Sequence, residues 1–349
     1  MKQLMKGNEA IVHGALLGGA THFFGYPITP ASEIAHAAAD LFPRTGRHFL
    51  QAESEVAAIN MLYGAAGAGA RVMTASSGPG VSLMAEGISY MAGAELPCVI
   101  VDIQRAGPGL GNIWPEQSDY NMVVKGGGHG NYHNIVLAPA SGQEMCEMTA
   151  AAFDLADRYR ATAFVLADAY IGQMMEPVEL PRAVSHGERK EWALNADAES
   201  RENLITSIYM STTGQSAHNW HLQEKYRRME AEITDWDERE LEDAETVFVA
   251  FGISARIASS AVDELRRQGV RAGLLRPKTL FPFPRRRIAE LAERGVEEFA
   301  VLELNEGMMA DDVQLAATGA RVRRLNWLGG EVPTVAQVVE KLHEGAATL

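Results

Sequence analysis

Cys98-Val99-Ile100-Val101-Asp102-Ile103 decides the fold. It is a short, β-branched, apolar run that follows Pro97, and it reads as a strand buried on both faces. Helical patterns flank it on both sides. Gly80 to Ala92 precedes it, and Gly142 to Ala156 follows. Further short runs at Thr21–Gly25, Phe49–Gln51, Arg71–Ala75, Asn134–Ala138 and Ala163–Leu166 alternate with helical stretches at Glu9–Gly19, Ala31–Leu41 and Ser54–Ala68. Pro30 suits the opening of the second of these helices, because a first turn needs no N–H partner there. Strands alternating with helices predict an α/β fold: a parallel sheet with helices on both faces.

The rhythm breaks after Pro181. Residues 185–241 are polar and charged, with a helix expected near Leu222–Thr234 and an unusual His218-Asn219-Trp220-His221 cluster. Trp220 and Tyr226 among those charges suggest an interface. The alternation then returns, with strands at Thr246–Phe251, Ala272–Leu275, Phe299–Leu302 and Arg321–Leu325. The expected division is 1–185, a polar linker at 186–242, and a second α/β domain at 243–349. The length of 349 residues agrees with two domains at roughly 150 residues each.

Composition excludes several classes. The chain carries 31 basic and 45 acidic residues, a net charge of −14, so nucleic acid and anionic membranes are poor partners. Two cysteines cannot build a disulfide framework, a four-cysteine zinc site or a self-contained iron–sulfur cluster. The histidines lack metal-ligand spacing, so no metal is expected on this chain. No apolar run reaches the ~18 residues of a membrane span, and no signal-peptide core is present, so the expected location is cytoplasmic.

Four stretches carry candidate chemistry. Arg105 lies two residues beyond the central strand, where open parallel sheets bind ligands, and an arginine there can grip a carboxylate or phosphate. A solvated arginine beside a flexible turn is the plain alternative. Gly107-Pro108-Gly109-Leu110-Gly111 has glycines in a dinucleotide-like rhythm, but Asn112-Ile113-Trp114-Pro115 follows and no helix opens, against a Rossmann site. Ser76-Ser77-Gly78-Pro79-Gly80 joins a strand to a helix and offers hydroxyls and amides to a polar ligand. It is neither a nucleophile elbow nor a P-loop, and it can equally be a tight connection. Glu53 and Glu55 both suit a helix first turn through the dipole; the small residues beyond Glu55 point to close packing there.

Together these motifs resemble the alpha subunit of the 2-oxoacid:ferredoxin oxidoreductases. Tyr26-Pro27-Ile28-Thr29-Pro30, Ser54-Glu55-Val56-Ala57-Ala58, Ala75-Ser76-Ser77-Gly78-Pro79-Gly80 and Gln104-Arg105 occur in that family's order. Leu275-Arg276-Pro277, Pro282-Phe283-Pro284 and Glu303-Leu304-Asn305-Glu306-Gly307 continue the match over nearly the whole chain. Gln117-Ser118-Asp119-Tyr120 and Gly126-Gly127-Gly128-His129-Gly130 are most similar to the branched-chain (2-oxoisovalerate) branch. Gly109-Leu110-Gly111-Asn112-Ile113 departs from the 2-oxoglutarate branch.

The resemblance implies a pyrimidine-binding domain over 1–185 and a transketolase C-terminal-like domain over 243–349. It implies oxidative decarboxylation of a 2-oxoacid to acyl-CoA and CO2, with thiamine diphosphate as cofactor and ferredoxin as electron acceptor. Glu55 matches the cofactor-activating glutamate, Arg105 the arginine that holds the substrate carboxylate, and Thr29 a threonine near substrate and cofactor. Tyr26, Pro27 and Ile28 are implied to shape the pyrimidine pocket, and Ser76, Ser77 and Gly78 to line it. The sequence contains neither a Gly-Asp-Gly…Asn-Asn signature nor a Cys-x-x-Cys set. A beta subunit is therefore implied to supply magnesium, diphosphate contacts and a [4Fe-4S] cluster, with gamma and ferredoxin-like delta subunits as companions. A non-catalytic scaffold subunit, or the pyrimidine-side subunit of another thiamine-dependent dehydrogenase, is the alternative.

Overall fold

The computed structural model describes residues 2–180 and 189–346. The expected domain boundary at 185/186 and the start of the polar segment lie outside the described residues. The predicted central strand is β5 (Cys98–Gln104), and all seven of its residues are buried. It pairs in parallel with β4 (Val72–Ser76) and β7 (Thr162–Asp168). Beyond β4 come β2 (His22–Gly25) and β3 (His48–Gln51); beyond β7 comes β6 (Ile135–Leu137). The order β12-β6-β7-β5-β4-β2-β3 makes a seven-stranded sheet, closed at one edge by antiparallel β12 (Thr279–Phe281).

That order places the helices. The chain steps outward from β2 to β3 through α2 (Ser32–Arg44), then back across β2 to β4 through α3 (Glu55–Gly67). Right-handed crossovers in opposite directions put α2 and α3 on opposite faces. α4 (Gly78–Gly93) continues the second direction and packs on α3. α1 (Gly7–Leu17) and α6 (Gly142–Tyr159) join α2 on the first face. Connections leave β2 and β4 in opposite directions, so a crevice opens at their carboxyl ends, where such sheets bind ligands.

The second unit is a five-stranded sheet, ordered β14-β13-β10-β11-β9. β10 (Thr246–Val249), β11 (Ala272–Pro277), β13 (Glu298–Glu303) and β14 (Arg321–Asn326) are the expected parallel strands. Four strands, in three pairings, depart from the sequence reading. β1 (Lys2–Lys6) pairs with β8 (Met175–Glu179); β9 (Trp236–Arg239), inside the polar stretch, pairs antiparallel with β11; and β12 leaves the second unit to edge the first sheet. All three are short edge pairings. Their strength lies in backbone hydrogen bonds to a distant partner, which leaves no apolar alternation to read.

The polar stretch also holds α8 (Thr212–Glu232), ten residues longer at its start than the sequence reading. Trp220 is exposed, whereas Tyr226 is buried and edge-on to His133 and Phe281. Tyr226 is therefore core, and only Trp220 remains a surface aromatic of the pair. Both cysteines are buried and free, and burial pushes the thiol of Cys146 up to about 11 and that of Cys98 well above its usual range. No helix among the described residues is long and apolar enough to cross a membrane.

Candidate active site at the carboxyl ends of the parallel strands

The tie between Glu53 and Glu55 is broken by packing: Glu53 is exposed, whereas Glu55 is only 7% exposed. Ser54 caps α3 by accepting the Ala57 N–H at 3.2 Å, which fixes Glu55 in the first turn. Its side chain then reaches the start of α4. A Cβ on Gly80 would fall 2.5 Å from Glu55 Oε1 and would also collide with Ser76 Oγ. Gly80 is the residue that lets the carboxylate, the β4 end and the α4 turn meet. Ser77 caps α4 with extended backbone; its Oγ is fully buried and lacks a partner among the described residues.

Arg105 follows β5. Its Nη1 donates to the Thr29 carbonyl at 2.8 Å and its Nη2 to the Leu110 carbonyl at 3.3 Å, while buried Nε–H has no partner. A guanidinium has five N–H donors, so capacity for a carboxylate remains. The glycine-rich run after it opens no helix. Arg105 bridges to Pro115, and Ala106 N–H donates to the Trp114 carbonyl, so the run turns back as a hairpin-like loop. This agrees with the argument against a dinucleotide site.

The loop is pinned across the seam between the two units. Glu116 accepts from Gly107 N–H at 3.0 Å, from Ser118 Oγ at 2.8 Å and from Gly329 N–H at 2.6 Å. Beside it, fully buried Gln117 donates to the Phe251 carbonyl and accepts from Ser254 Oγ and Leu304 N–H. In the sequence Gln117 stands out only as part of the family-like Gln117-Ser118-Asp119-Tyr120 motif. Nothing in its neighbours signals a partner more than 130 residues away.

A cavity of about 1020 Å³ opens on Arg105. Its lining includes Gly78, the 105–110 loop, Leu110, Met122, Met308 and Leu328, with acidic Glu116, Asp119 and Glu306. Arg105 is the one cation among the described residues that line it. Thr29 instead lines a neighbouring cavity of about 830 Å³ with Ile113, Trp114 and Tyr170. The structure thus makes two groups from the candidate residues: Glu55 and Ser76, which converge on Gly80, and Arg105 with Thr29, which are hydrogen-bonded. Gly78 borders the Arg105 cavity, so α4 links the two. Tyr26 is exposed and Pro27 and Ile28 are half-buried in the connection between β2 and α2. Among the described residues no group of three or more His, Cys, Asp or Glu is placed to hold a metal ion.

The family model for pyruvate flavodoxin/ferredoxin oxidoreductase, thiamine diphosphate-binding, matches residues 13–241, and that for pyruvate:ferredoxin oxidoreductase core domain II matches 244–338. The chain belongs to this 2-oxoacid:ferredoxin oxidoreductase family and has its α/β thiamine diphosphate-binding domain. Within the family it is 55% identical to the ketoisovalerate oxidoreductase subunit VorB of Methanothermobacter marburgensis, over 98% of this chain and 97% of that protein. It is 38% identical to the 2-oxoglutarate synthase subunit KorA of Archaeoglobus fulgidus, over 94% of each. The 2-oxoglutarate:ferredoxin oxidoreductase of Magnetococcus marinus, solved with 2-oxoglutarate, coenzyme A and succinyl-CoA bound, superposes with a TM-score of 0.91 at 26% identity. This chain covers 65% of that one.

The donor set fits the pyrimidine end of thiamine diphosphate. A buried carboxylate, an unpartnered buried hydroxyl at Ser77 and a cradle that a Cβ at Gly80 would fill lie together.

Proposed function

We propose that the chain is the alpha subunit of a thiamine diphosphate-dependent enzyme that oxidatively decarboxylates a branched-chain 2-oxoacid, of the 2-oxoisovalerate kind, to acyl-CoA and CO2 with electrons passed to ferredoxin. The observation that carries the substrate class is the Arg105 cavity. One guanidinium suits one carboxylate. The distal carboxylate of 2-oxoglutarate would face Glu116, Asp119 and Glu306 with no second cation, whereas an apolar tail meets Leu110, Met122, Met308 and Leu328. The similarity to ketoisovalerate oxidoreductase subunits points the same way.

Bound thiamine diphosphate supplies an electron sink for decarboxylation. This chain's residues bind and orient. Glu55 is the group that hydrogen-bonds the pyrimidine ring and holds its proton; Ser76, Ser77 and Gly78 line that ring; Tyr26, Pro27 and Ile28 bound its pocket. Arg105 grips the 2-oxoacid carboxylate, and Thr29 braces Arg105 through its carbonyl. Residues 1–185 form the pyrimidine-binding domain and 243–349 the transketolase C-terminal-like domain, with 186–242 between them.

The other half of the site comes from a beta subunit with magnesium, the diphosphate contacts and a [4Fe-4S] cluster, accompanied by gamma and ferredoxin-like delta subunits in a cytoplasmic complex. Relatives named as subunits support the assembly. So do the exposed side chains of Tyr26, Leu110, Ile113 and Trp114 around the strand ends, because apolar surface of this kind marks interfaces.

The test is anaerobic purification of the assembled complex and dye reduction with 2-oxoisovalerate, 2-oxoglutarate, pyruvate and an aryl 2-oxoacid, with and without coenzyme A. Coenzyme A-dependent reduction fastest with 2-oxoisovalerate is expected. No reduction by a complex holding its clusters and thiamine diphosphate would refute the reading.

A further inference from the structure

The Arg105 cavity is backed by two carboxyls to which the proposed function gives no role toward the carboxylate that Arg105 grips. Asp102, within β5, is fully buried, and neither of its oxygens has a hydrogen-bond partner among the described residues. Asp119 lines the cavity at the start of α5 (Tyr120–Val124) and packs on the first turn of α4. A Cβ on Gly78 would fall 2.5 Å from its Oδ1 and 2.7 Å from its Oδ2, and the Gly78 N–H donates to it. Its own N–H is fixed by Gln104 Oε1 at 3.2 Å, and its Oδ2 is unpartnered.

The charged groups facing Asp119 come from three elements. Asp102 and Arg105 belong to β5 and its end, Glu116 to Asp119's own loop, and Glu306 to the loop across the cavity. Burial is the main force on both aspartates and disfavours their charge. The Glu116 charge adds to this at Asp119, while Arg105 opposes it; the result pushes Asp119 up to about 7. The charge of Asp119 in turn raises Asp102. Two ionised carboxylates in so dry a place repel strongly, so the pair keeps a proton where isolated aspartates would have none.

Arg105 has two claimants: the substrate carboxylate and ionised Asp119. We propose that Asp119 is a positioning residue for the 2-oxoacid: in the cavity that it lines together with Arg105, it leaves Arg105 free for the substrate while it holds a proton and competes for Arg105 once that proton is lost. The inference rests on the reading that Arg105 holds the carboxylate. It has a thermodynamic corollary: above the ionisation, binding of a monocarboxylate takes up a proton from solvent.

The test uses the purified complex. KM and kcat for 2-oxoisovalerate, and the inhibition constant of unreactive isobutyrate, are measured across neutral pH. In the wild type KM and the isobutyrate constant rise together above the ionisation, by up to about tenfold per pH unit, while kcat stays level. Asp119→Asn flattens both. Glu116→Gln moves the break to lower pH, because it removes a charge that raises Asp119.

Infrared difference spectroscopy gives a reading that needs neither variant nor turnover. The C=O band of a protonated carboxyl is lost as pH rises through the same range, and is regained when isobutyrate binds. A pH-independent KM in an active wild-type complex, a break that survives Asp119→Asn, or no protonated-carboxyl band overturns the inference and leaves the proposed function standing. Absence of turnover with every acid overturns the proposed function; the infrared titration then decides the inference alone.

Discussion

Arg105 Nη1 donates to the backbone carbonyl of Thr29 at 2.8 Å, which ties the end of β5 to the loop that follows β2. The contact spans 76 residues of sequence and crosses β4 between the two strands. It fixes the guanidinium through a main-chain atom, so the brace does not depend on the Thr29 hydroxyl. Arg105→Lys keeps the charge but loses the fork and this brace. The expected result is a rise in 2-oxoacid KM of about tenfold or more, from loss of charge-assisted hydrogen bonds, with a smaller change in thiamine diphosphate affinity. Parallel titrations of substrate and cofactor check it; equal losses in both would count against a substrate-specific role.

Glu55→Gln preserves volume and removes the carboxylate. Turnover of the complex should fall by on the order of 10²-fold or more, the range of a lost proton-transfer group, while subunit assembly is unchanged. Gly80→Ala is the geometric companion. Its new Cβ would stand 2.5 Å from Glu55 Oε1, so the carboxylate must move, and activity should fall although no charge is altered. Full activity in Gly80→Ala would show that the Glu55 position is not critical.

Leu110 is 83% exposed and lines the Arg105 cavity, so an arginine there should be tolerated by the fold. Leu110→Arg supplies a second cation for a distal carboxylate. The ratio of kcat/KM for 2-oxoglutarate to that for 2-oxoisovalerate should rise, by about tenfold if one ion pair forms. An unchanged ratio would remove Leu110 from the substrate's reach.

Glu303 is fully buried, and burial pushes its carboxyl up to about 7 although Met309 and Ala310 N–H groups and Asn305 hydrogen-bond it. Unfolded, it titrates near its ordinary value of 4.5. Between these values the folded state binds the extra proton. Stability therefore falls as pH rises through that window and is level, for this group, above it. Chemical denaturation of the chain at several pH values should show the slope, and Glu303→Gln should remove about one proton's share of it.

Gln117 joins the two units through Phe251, Ser254, Leu304 and Asn305. Gln117→Ala leaves buried donors and acceptors without partners, at ~1–3 kcal/mol for each unsatisfied group. A lower Tm, with faster proteolysis between the units, is the expected outcome. An unchanged Tm would mean that the Gln117 side chain adds nothing to a seam held by its main chain, Glu116 and packing.

Much of this was legible in one dimension. The runs Arg71–Ala75, Cys98–Ile103 and Ala163–Leu166 read as strands because each is short, largely apolar and lies between helical stretches. The helix read from Ser54 to Ala68 put Glu55 in its first turn, and Arg105 just past the central strand marked a ligand position by the strand-end rule. The small residues after Glu55 and the family resemblance favoured it over Glu53, although the helix dipole suits both; the tertiary structure supplied the physical reason, burial against Gly80. Only the tertiary structure brought Asp119 against Gly78 and Gln117 beside Phe251, because those pairings depend on loop closure across distant segments and leave no periodic trace. The edge strands β9 and β12 belong with them. Their register is set by main-chain hydrogen bonds to strands already in place, and a backbone looks the same in every sequence.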